Sequence, residues 1–278
     1  MRIRTLAALA ALAGVSLLTV PAHAASAAAL PSYDHIVVVV EENHANTQII
    51  GNASAPYITS LANGGANFTQ SVAVTHPSEP NYLALFSGST QGLTDDSCPH
   101  TYSGENLGHQ VTASGRTFAG YSESMPSDGY TGCTSGSYAR KHNPWVNFTN
   151  VAASANLRFS QFPTDYTTLP AVSFVVPNLC NDMHDCSVKT GDTWLKNNLD
   201  SYVTWAKTHN SLLVLTFDED NGVSGNRIPT VFSGAHVATG AYSETVTHYR
   251  VLRTLESLGG LACTGSSCGT TAITDVWN

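Results

Sequence analysis

Apolar positions along this chain follow two periodicities. The run His35-Ile36-Val37-Val38-Val39-Val40 is continuous, β-branched and followed directly by acidic residues. A run apolar on both faces is what a parallel strand buried on both sides requires. Ala171–Val176 and Ser211–Phe217 have the same character, and Thr117–Tyr121 and Pro229–Phe232 read as weaker strands. Between them, Ala55–Asn63, Pro80–Ser87, Thr193–Thr208 and Thr247–Leu258 carry helical patterns. Strands alternating with helices predict an α/β fold, a mostly parallel central sheet with helices on both faces. Leu93–Asp165 is rich in Gly, Ser, Asn and Pro and reads as an irregular insertion or cap on one edge.

The first residues carry a different pattern. Arg2 and Arg4 precede an apolar run from Leu6 to Val20, followed by Ala22-His23-Ala24. This reads as a secretory signal peptide over residues 1–24, leaving 25–278 as a single domain outside the cell. The run is short for a membrane span, which needs about 20 apolar residues. Six cysteines in an exported chain suggest three disulfides. Their spacing favours Cys180–Cys186 and Cys263–Cys268, which leaves Cys98 with Cys133.

Composition narrows the function. Charged residues make up 12% of the chain, about half the usual ~25%. The net charge of −8 speaks against a general nucleic-acid binder. Cleavage after Ala24 removes Arg2 and Arg4, leaving 10 basic against 20 acidic side chains and 10 histidines.

In a parallel α/β sheet the chemistry gathers beyond the carboxyl ends of the strands. Glu41-Glu42-Asn43-His44 follows the first strand, Asn181-Asp182-Met183-His184-Asp185 lies after the Val172–Val176 strand, and Asp218-Glu219-Asp220 follows Phe217. Hard oxygen ligands with some imidazole suit a divalent cation such as Mg²⁺, Ca²⁺, Mn²⁺ or Zn²⁺. Solvated strand ends and helix caps would use the same residues.

Thr75-His76-Pro77-Ser78-Glu79-Pro80-Asn81 places Ser78 just before a helix, with Pro80 in its first turn. Ser78 is there either an ordinary N-cap or a nucleophile at the positive end of a helix, where a phosphate would be held. The G-x-S-x-G elbow of serine hydrolases is absent, as are the P-loop and the dinucleotide glycine fingerprint. His142, His184 and His248 stand in motif-like settings, and Arg140-Lys141 beside His142 would suit an anion.

Together these motifs resemble the bacterial phosphoesterase family of secreted acid phosphatases and phospholipases C, within the alkaline-phosphatase-like superfamily. The resemblance rests on His35–Asn43, Thr75–Phe86, Arg140-Lys141-His142, Asn181–Asp185, Asp218-Glu219-Asp220 and Thr274-Asp275-Val276-Trp277. It implies a metal-dependent phosphomonoesterase (an acid phosphatase) that acts on phosphoinositides such as phosphatidylinositol 3-phosphate through a phosphoserine. Ser78 would be the nucleophile, with His184 and His248 as further catalytic residues. Glu42, Asn43, Asp218 and Glu219 would hold a divalent cation. Arg140, Lys141 and His142 would bind substrate. A phospholipase C-type phosphodiesterase would share the metal and Ser78 but release a phosphorylated headgroup. A non-enzymatic secreted binding module would need exposed aromatic platforms and no convergent acids.

Overall fold

Consecutive valines leave neither face of the first strand fit for water, so it lies at the centre of the sheet. The computed structural model describes residues 30–278; the expected signal peptide lies outside them. In chain order the elements begin with strand β1 (His35–Glu41), helices α1 (Asn46–Ile49) and α2 (Pro56–Gly64), strand β2 (Ala66–Val72) and helix α3 (Ser78–Ser87). Helix α4 (Leu107–Ala113), strand β3 (Phe118–Ser122), the short pair β4 (Thr134–Ser135) and β5 (Tyr138–Ala139), and strand β6 (Asn156–Arg158) follow. Strand β7 (Val172–Val176), helix α5 (Val188–Ala206), strands β8 (Ser211–Phe217), β9 (Thr230–Gly234) and β10 (Gly240–Thr247), and helix α6 (His248–Leu258) complete the order.

Eight strands form the main sheet in the order β10-β2-β9-β8-β1-β7-β3-β6. Only β9 runs antiparallel to its neighbours, β8 and β2. Val38 of β1 pairs with Phe174 of β7 on one side and Val214 of β8 on the other. Alternate β1 side chains enter opposite cores. Ile36, Val38 and Val40 pack with α3 and α6, through Leu83, Phe86, Val251 and Leu255. Val37 and Val39 pack with α2 and α5, through Ile58, Leu61, Leu195 and Tyr202. Among the described residues no helix is long and apolar enough to cross a membrane.

Strands β2 and β10 escape the apolar-run criterion. β2 sets buried Ala66, Phe68 and Ser71 among more exposed Asn67, Thr69 and Gln70, and β10 alternates half-buried with exposed positions, Ala241, Ser243 and Thr245 facing outward and Val246 alone buried. β10 lies at the sheet edge, where one face meets water and no continuous apolar run is needed.

All three expected disulfides form, Cys98–Cys133, Cys180–Cys186 and Cys263–Cys268. The first staples the insertion that carries Arg140. That arginine does not reach toward an anion. Its Nε donates to Asn147 Oδ1 (3.1 Å), Nη1 to the Thr131 carbonyl (2.6 Å) and Nη2 to the His100 carbonyl (2.9 Å). Those bonds tie the guanidinium to the cap loops, where the sequence suggests a substrate-binding group.

Close packing also anchors the cap on the sheet. The Trp145 ring lies flat over Gly120 of β3, where an added Cβ would fall 2.1 Å from the indole. Trp145 Nε1 donates to Asn156 Oδ1 at 2.8 Å. A Gly120→Ala substitution would push the tryptophan, and the Arg140–His142 segment before it, off the sheet. The expected outcome is a loss of about 1–3 kcal/mol, the usual cost of overpacking, read by chemical denaturation, together with reduced turnover. An unchanged denaturation midpoint would count against this anchoring.

Candidate active site

The site is built where β1, β7 and β8 end side by side. Backbone bonds extend the pairing past the strands: Glu42 N donates to the Asp182 carbonyl (2.8 Å) and Asp218 N to the Glu41 carbonyl (2.9 Å). Side chains alternate along the strand, so Glu41 and Glu42 part company. Glu42 enters the site. Glu41 is buried with neither carboxylate oxygen partnered. Burial, and then the charges of Asp182, Glu123 and Asp192, push the Glu41 carboxyl far above its ordinary range. Asn43 adopts a left-handed backbone (φ 49°), a conformation asparagine tolerates better than most residues. Its N–H donates to Asp218 Oδ1 at 3.0 Å.

Helix α3 delivers Ser78 from the opposite side. Ser78 is the first residue of the helix, and Pro77 takes the cap position. Asn81 braces the approach: its Oδ1 accepts from Val74 N (3.0 Å) and Thr75 N (3.1 Å), and its Nδ2 donates to the carbonyls of Thr75 and Pro77. Ser78 Oγ is buried, 3.1 Å from Glu42 Oε2, 3.2 Å from Glu219 Oε1 and 3.4 Å from Asn43 Oδ1.

This donor set fits a hard cation. With its nitrogen turned inward, the Asn43 amide donates to Glu219 Oε1 (3.1 Å) and Glu42 Oε2 (3.2 Å). With its oxygen inward it completes a cluster of four oxygens, from Glu42, Asn43, Ser78 and Glu219, that suits a divalent ion. Behind it, Glu42, His142 and Asp182 each offer an atom within 4.8 Å of the others, a second group able to hold a metal. His142 Nε2 lies 3.2 Å from Glu42 Oε1, and its Nδ1 lies 3.4 Å from Asp182 Oδ2. Neither His142 Nε2 nor Asp182 Oδ2 has a hydrogen-bond partner.

Burial dominates the electrostatics. It lifts the carboxyls of Asp182, Asp218 and Glu219 to about 7 and drives Glu42 well above its ordinary range, where Asp218 and Asp182 add to the effect. Burial also depresses His142, reinforced by Lys141 and His184, and holds His248 down at about 4.

The three histidines occupy different shells of the site. His142 stacks on Tyr82 (5.1 Å, 12°), whose hydroxyl donates to Glu42 Oε1. His184 lies nearer the rim, its Nδ1 2.7 Å from Asp185 Oδ1 and its ring 6.0 Å from that of His142. His248, the first residue of α6, is buried with Nε2 2.6 Å from the Asp218 carbonyl. That contact braces the Asp218 backbone from behind. Asp220, third of the acidic run, accepts from Gly222 N, Ser224 N and Asn226 N and shapes its own loop.

Two residues escape the strand-end criterion. His76 contacts Glu219 Oε2 through Nδ1 and lies 3.5 Å from Asp220 through Nε2. Its place two residues before Ser78 was the available signal. Asp96 accepts from Glu79 N and from Lys141, and only the folded cap brings it there.

The model of the phosphoesterase family matches residues 52–262. Over 261 residues the chain is 54% identical to the phosphatidylinositol-3-phosphatase of Mycobacterium tuberculosis, covering 93% of this chain and 87% of that protein. It is 32% identical to an acid phosphatase of Aspergillus fumigatus, covering 78% of this chain but only 54% of the fungal protein. In fold it is similar to a protein of the alkaline phosphatase superfamily from Vibrio parahaemolyticus, with a TM-score of 0.60 at 13% identity over 88% of this chain and 71% of that one.

The raised carboxyls set a pH dependence. In the folded, metal-free chain they hold protons that the unfolded chain releases from about pH 4 upward. Their contribution to stability is therefore full at the acid end and is lost as pH rises through about 7. Chelator-treated protein should melt at progressively lower temperature across that window. An excess of divalent cation should restore the melting point at neutral pH. A melting curve indifferent to both pH and cation would refute the metal-binding reading of this cluster.

Proposed function

This chain belongs to the phosphoesterase family, and from that premise we propose that it is a secreted, metal-dependent phosphomonoesterase that works through a phosphoserine at Ser78. The observation that carries this reading is the Ser78 hydroxyl, buried at the start of α3 within 3.1–3.4 Å of oxygens from Glu42, Glu219 and Asn43. Export is supported by the signal-like first 24 residues and by the three disulfides.

Glu42, Asn43, Asp218 and Glu219 would hold the divalent cation. A cation bound there would lower the pKa of the Ser78 hydroxyl and offset charge on the phosphoryl oxygens. Ser78 Oγ attacks phosphorus in line, the P–O bond to the alcohol breaks, and water later cleaves the phosphoserine to release inorganic phosphate. Glu219 Oε1 faces Ser78 Oγ, and the other oxygen of Glu219 meets the part-exposed His76, which gives the serine proton a route outward. Lys141, whose charge is felt at Glu42, Asp182 and Glu219, attracts the phosphoryl group. His184, nearer to solvent than His142 or His248, protonates the leaving oxygen. The 54% identity to a phosphatidylinositol-3-phosphatase supports a membrane phosphoinositide such as phosphatidylinositol 3-phosphate as the substrate.

Ser78→Ala should lower turnover of p-nitrophenyl phosphate by roughly 10³-fold or more, the scale of losing a covalent nucleophile, with the melting temperature little changed. With short-chain phosphatidylinositol 3-phosphate, wild-type protein should release free inorganic phosphate. Near-normal turnover in the variant would sink the nucleophile. Release of a phosphorylated headgroup would favour the diesterase.

A further inference from the structure

The amide that follows Ser78 and the Lys141 ammonium already hold one carboxylate between them. Asp96 lies on the loop between α3 and α4, two residues before the Cys98–Cys133 staple. Its Oδ1 accepts the Glu79 N–H at 2.9 Å, and its Oδ2 accepts from Lys141 Nζ at 2.7 Å. The Glu79 N–H is the amide next to the nucleophile, in the first turn of α3, where unpaired N–H groups attract anions. Asp96 is also within electrostatic reach of the reacting groups, since its charge is felt at Glu79, Glu219 and His142.

A phosphoryl group passing on or off Ser78 calls on the same donors. Building on the assignment of Ser78 as nucleophile, we propose that Asp96 is an internal competitor for the phosphoryl position, taking the Glu79 N–H and Lys141 as phosphate departs and so limiting product inhibition. A site with a cation, an ammonium and a helix N-terminus binds inorganic phosphate tightly, and release of product then slows turnover. A tethered carboxylate counters this because it is always present at high effective concentration. Its single charge still yields to an incoming phosphate dianion supported by the rest of the site.

The direction of the effect separates this role from a structural one. If Asp96 only orients Lys141, removing its charge loosens phosphate binding. If it competes, removal tightens it. Asp96→Asn keeps the shape and an acceptor for Glu79 N–H but no longer neutralises Lys141. In the full chain with divalent cation, the inhibition constant for inorganic phosphate against p-nitrophenyl phosphate hydrolysis should fall roughly tenfold. KM should fall with it, while kcat does not rise. In a Lys141→Met background the same substitution should have a much smaller effect, because the two changes act through one contact. Asp96→Ser, read by melting temperature and phosphate affinity together, guards against misfolding of the asparagine variant.

Calorimetric titration with inorganic phosphate reads the competition without turnover. Tightening without any hydrolysis in the wild type would uphold the competitor and overturn the phosphatase reading. Unchanged or weaker phosphate binding in Asp96→Asn, or no phosphate binding by the wild type, would overturn the competitor.

Discussion

Like-charge repulsion among buried carboxyls is the constraint around which this molecule is arranged. Glu42, Asp182, Asp218 and Glu219 are all buried at the ends of three adjacent strands. Carboxylates in such a place either take up protons or share a cation. Both answers have a purpose in phosphoryl transfer, because the force that drives the carboxyls upward is the force that would hold a metal. The chain carries a net charge of −8, yet it must receive an anion. Lys141, and a cation held by the carboxylates, would reverse the global field at this one spot.

The surrounding structure holds those groups against their repulsion. Backbone bonds tie Glu42 to Asp182 and Asp218 to Glu41. Tyr82, His142 and His76 secure the carboxylates from outside, and His248 secures the Asp218 backbone from behind. The cap contributes in the same way. Arg140 spends its donors on carbonyls and Asn147 and thereby fixes the position of its neighbours Lys141 and His142. Its hydrogen bonds therefore bear on where Lys141 and His142 sit.

Much of this was legible along the chain. The central strands announced themselves because a strand buried on both faces must be apolar throughout. Strand-end acids then followed from the way parallel sheets present their carboxyl ends, and Ser78 was singled out by Pro80 in the first turn of its helix. The folded chain adds Asn81, whose side chain bonds four backbone groups of the Ser78 loop. Strands β2 and β10 were not legible, because a half-buried strand needs only alternate apolar positions and theirs are diluted by Thr, Gln, Ser and Glu. His76 and Asp96 were not legible either. Their importance depends on which groups they meet, and those partners lie 143 residues away for His76, and 17 and 45 residues away for Asp96.

By itself the sequence determined the alternation of strand and helix, the core strands, the spacing that favoured the cysteine pairs and the identities of the oxygen and imidazole groups. Each of these is local: side-chain volume, branching, spacing and acidity are properties a residue carries wherever it sits. Tertiary structure decided which groups act together. It sent Glu41 and Glu42 to opposite sides of one strand, turned Arg140 into the cap, placed His248 behind Asp218 and brought Asp96 onto the amide beside Ser78. Those outcomes depend on distances of a few ångströms between residues far apart in the chain. Charge interactions and hydrogen bonds are decided at that range, and no pattern along the sequence encodes it.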